Sequence, residues 1–184
     1  MVFNPAKYGT AVVRILALDS DGNRLAPLTI GPCSSVEARR QLGASNAGEL
    51  FQGCEAPDEA MAGLWLYFSC FDEAHELAND CDSKEGYLWH AIVHRQEGDS
   101  GNSAYWYRRA GSHSIFAELA LDSVKILERY PHAEFRVNRW DPCAFVSFVD
   151  RARQQPGSEQ ERAALEIQRA EWQILFDHCA GPAA

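Results

Sequence analysis

Residues 87–99 read Tyr87-Leu88-Trp89-His90-Ala91-Ile92-Val93-His94-Arg95-Gln96-Glu97-Gly98-Asp99. On a helix, at about 100° per residue, Tyr87, His90, His94 and Glu97 share one stripe, and Leu88, Trp89, Ala91, Ile92 and Val93 cover most of the rest. A helix apolar nearly all round is a buried one. The rest of the chain must therefore pack around this segment, and its two histidines go at least partly inside with it. Upstream, residues 58–79 have the same period. Their apolar stripe runs Met61, Leu64, Trp65, Phe68, Phe71 and Ala78, with Asp72 and His75 on it. The polar run 79–84 between the two helices is short, and short connections make antiparallel neighbours. An Asp-x-x-His pair is thus expected to face a His-x-x-x-His pair.

The flanking sequence reads as further helices. A cap at Ser34 or Ser35 starts a short one reaching Gln41 or Leu42. Residues 104–110 carry Tyr105-Trp106-Tyr107-Arg108-Arg109 and end at Gly111. Residues 115–130 stop at Pro131, Asp141-Pro142 opens another helix to about residue 155, and the last runs over 159–179. Near the N-terminus, the apolar run 12–18 is followed by the turn signal Asp19-Ser20-Asp21-Gly22-Asn23 and a second run, 25–30, broken by Pro27. A short β-hairpin fits this turn chemistry; a helix over 10–18 is the competing reading. The fold class is mainly α: one domain over residues 1–184, with an N-terminal lead-in over 1–56 and a helical core over 57–184. Gly53, Gly63 and Gly86 stand alone and form no motif.

The 184 residues carry a net charge of −9. That argues against nucleic acid and anionic membrane surfaces as partners, since both reward clustered Lys and Arg. A small molecule is the partner class left open, and homo-oligomerisation is not readable. No segment approaches the roughly 18 unbroken apolar residues of a membrane span. Residues 12–18 are too short, and interrupted by Arg14, for a signal peptide. The expected location is cytoplasmic. The six cysteines, Cys33, Cys54, Cys70, Cys81, Cys143 and Cys179, contain no Cys-x-x-Cys and are expected to be reduced and mostly buried.

The block Trp89-His90-x-Ile92-x-His94-Arg95-x-Glu97-Gly98-Asp99 continues with Asn102, Tyr105-Trp106, Arg109, Gly111, His113 and Phe116, and Asp72 and His75 precede it. Over about a third of the chain it resembles a family of uncharacterised proteins of environmental bacteria and some fungi. The resemblance implies no activity, so function is read from the residues.

Asp72, His75, His90 and His94 are the candidate metal ligands. Imidazoles at i and i+4 can share an ion, and facing helices supply such ligands in bundles. Iron, manganese or zinc would suit the set. Neither His-Glu-x-x-His nor a di-iron Glu-x-x-His pattern is present. Arg95, Glu97, Asp99 and His113 are the candidate acid–base and supporting groups, with Arg95, Arg108 and Arg109 as candidate anion holders. The aromatics Tyr87, Trp89, Tyr105, Trp106 and Tyr107 read as core or as a pocket wall. A pairing of Cys70 or Cys81 with a histidine would give a nucleophile. Two functional readings follow: a small-molecule enzyme or metal-binding protein, or a non-catalytic interaction module whose buried His/Asp network is structural.

Overall fold

The computed structural model describes residues 3–182. Its helices are, in chain order, α1 (Thr10–Leu16), α2 (Val36–Gly43), α3 (Ala47–Leu50), α4 (Pro57–Tyr67), α5 (Phe71–Asp80), α6 (Lys84–Glu97), α7 (Ser100–Ala110), α8 (Ile115–Leu127), α9 (Pro142–Arg153) and α10 (Glu159–Ala180). Among the described residues there is no strand; the one β contact is an isolated bridge between Cys54 and Pro182. The fold is mainly α.

Helix α6 is the axle. The Gly86 amide donates to the Ser83 side chain at its start. Gly98, at φ 84°, ends it in the left-handed region that glycine adopts without a Cβ penalty. Residues 88–96 are buried without interruption, as the nearly all-round apolar pattern requires. Helices α4, α5 and α7 pack directly against α6, and α10 packs across α4, α8 and α9.

Close approach of α4, α6 and α10 depends on Gly63. A Cβ there would sit 2.7 Å from Cζ2 of Trp89, which is fully buried. The Gly63 carbonyl also accepts from Trp172 Nε1 of α10 at 2.8 Å. Gly63→Ala gains helix propensity of about 1 kcal/mol but overpacks a rigid indole, which costs about 1–3 kcal/mol. Thermal circular dichroism should therefore show a lowered Tm; an unchanged or raised Tm would mean that Trp89 has room to move.

Three expectations are corrected. The N-terminal hairpin does not form. Val12, Ile15 and Leu16 lie at helical spacing on one buried face of α1, and that periodicity outweighs the turn signal. Residues 24–30 are instead an irregular segment whose carbonyls are taken up by side chains: Gln168 donates to Ala26 O, Gln96 to Pro27 O and Arg153 to Leu28 O. Second, the single helix expected over 58–79 is two. Ser69 sits at φ 57°, and Arg24 Nη1 donates to its hydroxyl at 3.0 Å. The Tyr67 hydroxyl accepts from the amides of Gly22 and Arg24, so the 19–24 turn docks where the helix breaks. Third, not all cysteines are reduced: Cys33 and Cys70 are joined in a disulfide across this break, while Cys54, Cys81, Cys143 and Cys179 are free thiols.

Candidate metal centre

His75 comes from α5, and His90 and His94 from successive turns of α6. Each offers a ligand atom, and the three atoms lie within 4.8 Å of one another. Nε2 of His75 is 2.8 Å from Nε2 of His90. Tetrahedral ligands on an ion with bonds of about 2.0–2.1 Å lie about 3.3–3.4 Å apart, so this pair has to open by about half an ångström to share one. Behind the rings stands Glu97. Its Oε2 is 2.8 Å from His94 Nδ1 and its Oε1 is 3.7 Å from His75 Nδ1. One carboxylate thus backs two imidazoles and leaves Nε2 of each for another partner.

His90 is 2% exposed and its Nδ1 has no hydrogen-bond partner among the described residues. Burial, followed by the facing His75 and His94, pushes its pKa down to about 4. The ring is therefore neutral at neutral pH, as a metal ligand must be. The site reaches the surface on one side: the side chains of His75 and Glu97 are 38% and 29% exposed. On the other side the rings form a stack. His94 lies on His90 at 4.8 Å between centroids, and His90 on Trp106 at 4.1 Å, both nearly parallel. Trp106 packs against Tyr87, and the Arg109 guanidinium caps both rings at 4.5–5.2 Å.

The remaining predicted site residues go elsewhere. Asp72 is exposed and outside the cluster. The break at Ser69 turns it away, and it lines a shallow surface pocket with Cys33, Cys70 and Arg39. Arg95 is fully buried, paired with Glu171 at 2.5 Å and with the Tyr107 hydroxyl at 2.7 Å; it is a core ion pair and not an anion holder. Asp99 accepts from the Asn102 amide as the N-cap of α7. Arg108 is exposed. His113 lies with Glu85 and His178 near the N-terminal end of α6. Of the aromatics, Trp89 and Tyr107 are core and Tyr105 is exposed. Cys70 is in the disulfide and unavailable as a nucleophile, and burial first, then nearby carboxylates, push the Cys81 thiol up to about 12. Sequence reasoning missed Glu85, Glu171 and His178 as partners. No helical spacing links them to the residues they meet.

Set against known proteins, the chain matches no family model, no curated protein and no solved structure.

Proposed function

We propose that the protein binds one divalent transition ion through His75, His90 and His94, and that this centre acts on a small molecule. The observation that carries this reading is the gathering of three imidazoles from two helices, their ligand atoms within 4.8 Å of one another, with Glu97 behind two of them. A nitrogen-rich donor set favours zinc or iron over manganese. Three protein ligands leave a coordination position open, the arrangement of catalytic rather than structural sites. When bound, the ion supplies Lewis acidity.

The chain's own residues then have distinct roles. Glu97 accepts the Nδ1 proton of His94 and fixes that ring's tautomer and orientation. Trp106 covers one face of His90 and keeps water from it. Arg109, over the Tyr87 and Trp106 rings and 3.5 Å from Asp82, holds that aromatic wall in place. His75 stands at the solvent edge, where a small molecule would enter.

The alternative is a structural network in a non-catalytic module. The 2.8 Å contact between His75 and His90 favours it, because that distance is also a good hydrogen bond. Partial exposure of His75 and Glu97 weighs against it, since a purely structural network would be sealed. Elemental analysis of untagged protein, followed by zinc titration of chelator-stripped protein, separates the two. Resident metal, or saturable zinc binding lost in His75→Ala, supports the metal centre. Neither resident metal nor zinc uptake overturns it and leaves the structural network.

A further inference from the structure

Five of the six histidines gather into two groups, each beside a glutamate. The second group gathers at the N-terminal end of α6, the helix that also carries His90 and His94. Glu85 lies in the first turn of α6, His113 in the connection between α7 and α8, and His178 in the last turn of α10. Nε2 of His113 and Nε2 of His178 lie 2.9 and 3.0 Å from the same oxygen, Oε1 of Glu85. The two rings meet edge to face at 4.9 Å.

We infer that Glu85, His113 and His178 form a second divalent-cation site. Both imidazole nitrogens lie about 3 Å from one carboxylate oxygen, and the three donor atoms are within 4.8 Å of one another, close to the spacing of three ligands on one ion with bonds of about 2.0–2.2 Å. Two neutral imidazoles and one carboxylate neutralise one of the two positive charges and leave positions for water. The other ring nitrogen of His113 faces the Ile115 amide at 3.4 Å. At that length it is a weak bond from the amide to Nδ1, which the ring gives up when its proton moves to Nδ1 and Nε2 takes an ion. Lining is asymmetric: the side chain of His113 is 4% exposed, Glu85 20% and His178 36%. An ion would therefore sit at the surface with one buried ligand. Two imidazoles and a carboxylate suit zinc or iron.

The two sites are independent. From Glu85 to the level of Ile92, midway between His90 and His94, is seven residues, or about 10 Å along the helix axis. Metals that share a reaction sit about 3.5–4 Å apart. The second ion would act as a clasp, holding the last turn of α10 and the α7–α8 connection onto the start of α6. It does not rest on the His75 centre.

Titration of chelator-stripped, full-length protein with zinc chloride by isothermal calorimetry tests this. Wild type should take two equivalents. His178→Ala, at an exposed position, should lose one while keeping its helical circular dichroism, and Glu85→Gln should lose the same one. His75→Ala should lose the other and still gain Tm on adding zinc. Full zinc stoichiometry retained in both His178→Ala and Glu85→Gln overturns the inference, as does a single wild-type equivalent that only His75→Ala removes. A single equivalent removed only by His178→Ala supports the second site and overturns the first. No zinc uptake by wild type overturns both.

Discussion

His94→Ala loses zinc at the α5–α6 face and keeps the helical circular dichroism of the parent. His94 is the residue on which the two tasks of the proposed centre meet: it offers a ligand nitrogen, and it is the ring that Glu97 holds at 2.8 Å. Its removal leaves two imidazoles, one of them at the solvent edge. Glu97→Gln is the milder change. Loss of a group that only orients a ligand weakens metal binding by roughly 10–100-fold, so this variant should retain zinc at raised concentration while His94→Ala does not. A structural network behaves differently. There, His94→Ala unpacks the buried His90 ring, which costs about 0.5–3 kcal/mol in thermal stability and leaves zinc uptake as it was. Cobalt(II) absorption reads the first outcome and thermal circular dichroism the second. Zinc bound at full stoichiometry by His94→Ala would remove that residue from the ligand set.

Three of the four predicted metal ligands converge because they follow rules that act locally. His90 and His94 are fixed to one face by the helical period, and the buried character of α6 is written into residues 88–96. His75 follows because a short connection returns α5 against α6. Asp72 fails for a local reason too. A continuous helix over 58–79 would have put it on the inner stripe, but the break at Ser69 resets the phase. That break depends on Arg24 and on residues 19–24 packing over Tyr67, a contact no helical pattern encodes. The same limit applied to Gly63, which stood alone in the sequence. It proved to be where two tryptophans from distant helices meet one backbone position. The group at Glu85 was illegible because 85, 113 and 178 become neighbours only when α8 and α10 are in place.

Arg95 shows how far a motif can mislead, and Glu171→Leu should have the largest effect on stability of any single change at this ion pair. In the sequence Arg95 sits between His94 and Glu97, which invites a role in the site. Its side chain instead points into the core, 0% exposed, over the Phe145 ring at 4.7 Å. There it forms a closed triangle: Arg95 to Glu171 at 2.5 Å, Arg95 to the Tyr107 hydroxyl at 2.7 Å, and that hydroxyl to Glu171 at 2.8 Å. Burial alone would lower the guanidinium's pKa; Glu171 and Tyr107 more than offset this and raise it. The charge therefore remains in the core of every folded molecule. Removing Glu171 leaves that charge with only a neutral hydroxyl. Unpairing a buried ion in this way costs about 3–5 kcal/mol, and at about 2–4 °C per kcal/mol for a chain of this size the Tm should fall on the order of 10 °C. Arg95→Met combined with Glu171→Leu and Tyr107→Phe removes both charges and the stranded hydroxyl, and should recover most of the loss, because apolar packing of similar volume often replaces a buried ion pair without net cost. Thermal circular dichroism of the single and triple variants decides between this and a solvated pair, for which Glu171→Leu would stay within about 1 kcal/mol of wild type. The triangle joins α6, α7 and α10, so it also holds the backbone that carries His90 and His94. Zinc affinity in the triple variant should therefore match wild type at a temperature where both are folded, which separates the core pair from the metal chemistry on the other face of the same helix.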